Sequence, residues 1–101
     1  MKTTQLHISA VDGTSLKGEI LTSFNKLVEV FGEPSLNDPP SKYEKVTREW
    51  ILGFPCGTVA TIYNWKNYGD EPEDHEDYAW HIGGHTNSAV ELVRDAIFGN
   101  K

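Results

Sequence analysis

Six carboxylates, Asp70, Glu71, Glu73, Asp74, Glu76 and Asp77, lie within eight consecutive residues of this 101-residue chain. Acids at such density can hold a cation, work as an acid–base pair or present a negative surface to a basic partner. The run lacks the glycine and closing glutamate of a calcium-binding loop, and no nucleophile accompanies it. Pro72 stiffens it and Tyr68 and Tyr78 flank it, and aromatics beside clustered acids suit a protein contact surface. The expected partner-binding set is therefore Tyr68, Asp70, Glu71, Glu73, Asp74, Glu76, Asp77 and Tyr78. A merely solvated loop is the alternative.

A second constellation is Trp80-His81-Ile82-Gly83-Gly84-His85-Thr86-Asn87-Ser88, which reads as a strand running through two glycines into a helix. Backbone N–H groups at a helix start attract anions, and paired glycines allow close approach. With Trp65 as a stacking ring, the expected small-ligand set is Trp65, Trp80, His81, Gly83, Gly84, His85 and Ser88, for a nucleotide or similar anion. The spacing is not that of a phosphate-binding loop, and a tight turn followed by a well-capped helix is the favoured reading.

Other chemistry finds less support. His75, His81 and His85 with the nearby acids could surround a metal, but His81 and His85 share no helical face, so neither metal nor cofactor is expected. Cys56 falls in a turn with no neighbouring base to activate it, and a single cysteine forms no internal disulfide. Trp50, Tyr63 and Trp65 with Arg48 could stack a planar ligand on one sheet face, or form the core instead. No convergent acid, base and nucleophile are visible, and an enzyme is not expected.

The elements that must position these groups follow from periodicity. Leu6, Ile8 and Ala10 alternate with polar residues, and Asp12-Gly13 follows, which predicts a hairpin returning over 14–21. Phe24, Leu27, Val28 and Phe31 make one helical stripe, with Thr22 or Ser23 at its start, Gly32 at its end and Pro34 beyond. Residues 35–41 read as a loop. Two β-rich runs, 43–54 and 58–65, predict a second hairpin about Cys56-Gly57, with Phe54 opposite Val59, Leu52 opposite Thr61, Trp50 opposite Tyr63 and Arg48 opposite Trp65. A short strand over 79–82 precedes a helix whose Ser88 and Glu91 match a capping box and whose Ala89, Leu92, Val93, Ala96 and Ile97 face inward. The expectation is one α+β domain over residues 1–101, a mostly antiparallel sheet of about five strands with two helices in the order ββαβββα.

Charge and composition narrow the partner. The nine acids outside the cluster balance the nine lysines and arginines, so the net charge of −6 is assignable to that one segment. No basic patch suits nucleic acid, no apolar run spans a membrane, and residues 1–5 lead into no signal-peptide core. A cytoplasmic protein is expected.

Four stretches together resemble small bacteriophage accessory proteins: Asp12-Gly13-Thr14-Ser15-Leu16, the segment from Leu27 to Pro34, Gly57-Thr58-Val59-Ala60-Thr61-Ile62-Tyr63-Asn64-Trp65, and Trp80-His81-Ile82-Gly83-Gly84. The resemblance spans about residues 12–98 and carries no catalytic residue. It implies a phage-encoded, non-enzymatic protein in the host cytoplasm. The expected partner is a host protein, such as a basic nucleic-acid-binding defence enzyme, bound through the acidic segment.

Overall fold

The computed structural model describes residues 3–99. It is an α+β fold, with one antiparallel sheet of six strands and two helices. The strands are β1 (Thr4–Gln5), β2 (Ser15–Ser23), β3 (Leu36–Asn37), β4 (Arg48–Gly53), β5 (Val59–Tyr63) and β6 (Asp77–Gly84). The helices are α1 (Phe24–Phe31) and α2 (Ser88–Phe98). Across the sheet the order is β1-β4-β5-β6-β2, and β3 shares the outer edge of β4 with β1. β3 is the strand beyond the expected five, and it lies in the segment read as a loop.

Both helical stripes pack on one face of this sheet. Leu27 and Phe31 from α1, and Ala89, Val93 and Ile97 from α2, meet Ile20, Trp50, Leu52, Phe54, Ala60, Ile62, Trp80 and Ile82. Trp50 has no exposed surface, and its ring meets the edge of Trp80 at 5.5 Å and tilts against Phe24 at 5.7 Å. The two buried indoles also hold the ends of α1. Trp80 Nε1 donates to the Thr22 carbonyl just before the helix (3.0 Å), and Trp50 Nε1 donates to the Gly32 carbonyl just after it (2.8 Å). Each indole thereby satisfies its own donor while fixing a chain reversal. Ser23 is the N-cap, its hydroxyl accepting from Lys26 N at 3.1 Å, and Gly32 ends the helix at φ 86°.

The amino-terminal hairpin does not form. Leu6 N bonds the Ile51 carbonyl at 2.9 Å, continuing β1 past its two paired residues, and the chain then winds into a 3-10 turn over Ile8–Val11. His7 caps that turn, and Asp12-Gly13 closes it rather than a hairpin. β2 pairs with β6 along eight residue pairs instead, with a bulge between Leu16 and Gly18. Eight long-range pairs outweigh a local alternation of three apolar residues.

The β4–β5 register also departs from expectation. Trp50 opposes Ile62, Leu52 opposes Ala60 and Glu49 opposes Tyr63. Pro55-Cys56-Gly57 forms a three-residue connection, closed by Phe54 N to the Thr58 carbonyl (2.9 Å) and Gly57 N to the Phe54 carbonyl (2.8 Å), with Gly57 at φ 91°. The extra turn residue moves Tyr63 to the face opposite Trp50.

β6 is longer than expected and includes both glycines, so Gly83-Gly84 is strand rather than turn. A Cβ on Gly83 would lie 2.5 Å from Thr61 Oγ1, and one on Gly84 would lie 2.6 Å from Ala89 Cβ. The glycines therefore admit β5 and α2, not a ligand. Gly84→Ala is expected to destabilise the fold by about 1–3 kcal/mol through overpacking, read as a lowered urea midpoint with unchanged slope.

Candidate functional site

The sheet face turned away from the helices is covered only in part. The amino-terminal segment crosses it near Ile51, Thr61 and Gly53, where Leu6 would stand 3.1 Å from a Cβ on Gly53. Beyond that crossing the pairing aligns one row over five strands: Leu36, Glu49, Tyr63, His81 and Glu19. Alternation places these side chains on one face, with Trp65, Ala79 and Leu21 towards the next row. Leu21 is 62% exposed and Trp65 39%, so this half of the face is open.

An aromatic cluster occupies its centre. His81 stacks on Trp65 at 6.0 Å, and Tyr63 presents its edge to His81 at 5.4 Å and to Trp65 at 6.2 Å. Glu19 Oε2 lies 3.2 Å from His81 Nε2, and Lys66 Nζ lies 5.5 Å from the Trp65 ring centroid. Glu49 is half-buried, and burial pushes its carboxyl above the ordinary range. Burial, and then the nearby Glu49 charge, push the Tyr63 hydroxyl up as well.

The expected aromatic set is thus divided. Tyr63 and Trp65 meet on the open face, whereas Trp50 lies in the core and Arg48 shares the core side, 3.9 Å above the Phe24 ring.

The expected small-ligand set is divided in the same way. Trp65 and His81 come together, but Trp80 is buried on the other side of the sheet and Gly83 and Gly84 are enclosed. His85 lies against Gly13. Ser88 falls inside the first turn of α2 rather than at its cap, and Asn87, at the cap, has helical geometry and no capping side-chain bond. The capping box is therefore absent. The amides of Ala89 and Val90 already bond the Thr86 and Asn87 carbonyls, which occupies donors that an anion would need.

The acidic segment leaves the sheet beside Trp65 and returns at Asp77, so it borders the open face, and it is pinned rather than free. Glu71 accepts from Thr47 Oγ1 (3.3 Å), Asn64 Nδ2 (3.2 Å) and Asn67 Nδ2 (2.8 Å). Asn64 is only 1% exposed, and its Oδ1 accepts from the backbone N–H groups of Thr47 and Arg48 at 2.9 and 3.0 Å. Asp74 pairs with Arg48 at 3.1 Å, and its carbonyl accepts from Asn25 N. Tyr78 donates to Asn67 Oδ1 and accepts from Trp65 N. Lys66 and Tyr68 hold left-handed backbone, φ 54° and 51°, at the base of the loop.

Of the expected partner-binding residues, Glu71, Asp74 and Tyr78 are therefore committed to the scaffold. Asp70, Glu73 and Asp77 remain exposed, as does Tyr68, while Glu76, also exposed, accepts from Glu73 N at 2.8 Å within the loop. Asn64 and Thr47, which organise the loop, were not singled out from sequence. The only hint was an asparagine embedded between Tyr63 and Trp65 at a strand end.

Among the described residues no three His, Cys, Asp or Glu side chains are grouped to hold a metal ion, and no helix is long and apolar enough to cross a membrane. Cys56 is exposed, and its thiol is pulled down by hydrogen bonding to Thr58. Comparison with known proteins finds no matching family model, curated protein or solved structure.

Two outcomes follow for the carboxylates. Glu71→Ala removes the acceptor shared by three donors and is expected to lower stability by about 1–3 kcal/mol, read by urea unfolding. Glu49 has the opposite sign. Its raised folded pKa means that the folded chain takes up the proton first as pH falls, so its burial penalty is present at neutral pH and lifts in acid. Glu49→Gln is therefore expected to raise the unfolding midpoint at about pH 7 and to change little at about pH 3.5.

Proposed function

We propose that the chain is a phage-encoded, non-enzymatic accessory protein that binds and inhibits a basic host protein, namely a nucleic-acid-binding defence enzyme in the host cytoplasm. The observation that supports this reading is the pinning of the acidic loop. Glu71, Asn64, Tyr78 and the Arg48–Asp74 pair fix its backbone, while Asp70, Glu73, Glu76 and Asp77 stay exposed. A surface ordered before binding loses less conformational entropy on association than a mobile tail would. Clustered like charge on it favours a lysine- and arginine-lined partner and speeds encounter.

The phage origin and the host setting rest on the sequence resemblance. This reading does not include direct nucleic-acid binding, since phosphate would meet the exposed carboxylates of Asp70, Glu73, Asp74, Glu76 and Asp77.

The test is affinity capture from bacterial lysate with the intact protein beside a variant carrying Asp70→Asn, Glu73→Gln, Glu76→Gln and Asp77→Asn. Glu71 and Asp74 are kept because they hold the loop, and Gln at position 76 retains the side-chain oxygen that accepts from Glu73 N. The intact protein is expected to retain a basic protein that is released as salt rises, and the variant to retain none of it. Equal capture of the same protein by the variant would overturn the reading.

A further inference from the structure

Glu49 is the centre of a second site, distinct from the acidic loop. Glu49 lies between Leu36 on β3 and Tyr63 on β5, its direct cross-strand neighbours. A cavity of about 350 Å³ opens beside it, lined by Leu6, His7, Ser35, Leu36, Glu49 and Ile51. The ion pairs among the described residues are Lys26–Glu29, Arg48–Asp74 and His81–Glu19, and none of them includes Glu49. No hydrogen-bond donor reaches its carboxylate among those residues either.

We propose that this cavity takes an organic cation, its apolar stem against Leu6, Leu36 and Ile51 and its ammonium or guanidinium group paired with Glu49. The shape and chemistry support the match. Three aliphatic walls favour a hydrocarbon stem, and the volume is near the lower end of the ~300–1,000 Å³ typical of ligand sites, which suits a small molecule or a single side chain. Two of the other polar lining atoms are already engaged. Ser35 Oγ donates to Gln5 Oε1 at 3.0 Å, and His7 Nδ1 accepts from Ser9 N at 3.1 Å.

An anion would face the carboxylate, and a neutral apolar guest would bury it further without compensation. A cation offsets the desolvation that Glu49 already suffers. The larger cavity nearby, about 470 Å³ and lined by Thr4, Leu6, Gly53, Phe54, Pro55, Gly57 and Val59, has no titratable group and so no comparable selectivity.

This site does not depend on the acidic-loop reading. If both hold, a lysine or arginine of the partner is the natural source of the cation. Titration of the full chain with n-butylammonium and n-butylguanidinium, followed by amide NMR shifts, tests it, with n-butanol and butyrate as neutral and anionic controls. Saturable shifts at Leu36, Glu49 and Ile51 are expected for the cations alone. Glu49→Gln should weaken them by at least about tenfold, the loss of a single charge pairing worth ~1.4 kcal/mol.

Leu36→Lys, which places the chain's own cation opposite Glu49, should block the probe. The loop variant with four neutralised acids should bind the probe like the intact chain, which separates this site from the loop. Saturable binding of N-acetyl-lysine and N-acetyl-arginine methylamides would assign the cation to a protein side chain, and binding of the free alkyl cations alone would assign it to a small amine. Unchanged binding by Glu49→Gln, butanol binding as tightly as the cations, or shifts confined to residues 70–77 would each overturn the proposal.

Discussion

The connection Pro55-Cys56-Gly57 sets the side-chain parity of β4 against β5, and the remaining packing depends on that parity. Three residues rather than two intervene between Phe54 and Thr58, with Gly57 at φ 91° where a side chain would be strained. Because strand side chains alternate with a period of two, one residue at the turn exchanges the faces of a whole strand. With this count Trp50, Leu52, Ala60 and Ile62 all face the helices. Trp50 then reaches the Gly32 carbonyl at the end of α1 and meets Trp80, whose own N–H holds the beginning of the same helix. The opposite register would have put the Tyr63 hydroxyl into that apolar layer, where it would need a buried partner.

The same parity builds the outer face and the loop beyond it. Tyr63 is directed away from the core and aligns with Glu49 on one side and His81 on the other. Asn64, one residue later, returns to the buried side and bonds the two amides that open β4. From there its amide group reaches Glu71, so a hairpin end and an acidic loop become one hydrogen-bonded unit. Concentrated negative charge repels itself. Arg48 and the donors around Glu71 oppose that repulsion where the loop meets the sheet, and left-handed backbone at Lys66 and Tyr68 directs the chain into this path.

What could be read from sequence divides along the same physical lines. Both helices were legible because their apolar stripes repeat with the helical period and bury the same residues found in the core, Leu27 and Phe31 in one and Ala89, Val93 and Ile97 in the other. Ser23 was legible as a cap because a hydroxyl before a stripe has a local use. The amino-terminal strand was not, since Leu6 to Ala10 alternate equally well in a segment that crosses a sheet.

Nor could local sequence count the residues in the 55–57 turn or show that Gly83 and Gly84 serve close packing. The turn's length is set by how Phe54 and Thr58 close on each other, which a two-residue turn at the same sequence would equally allow, and glycine clearance is set by Thr61 on the neighbouring strand and Ala89 on α2. The acidic loop was visible as composition, but its division into structural and exposed acids depends on Thr47, Asn64 and Arg48, which precede it.

Glu71 and Glu49 show how differently one residue type can be used within a single small fold. Both are half-buried carboxylates close to the β4–β5 hairpin. Three side-chain donors satisfy Glu71, so it binds its own loop and has little capacity left for a partner. Glu49 has no donor among the described residues, and burial raises its pKa without compensation. A neutral glutamine of nearly the same shape would relieve that penalty, so folding gives no reason for the charge. Groups that work against stability are the ones a binding role can account for. In this chain that group is Glu49, beside the aliphatic-walled cavity, and a cation is the guest that would offset its partial desolvation.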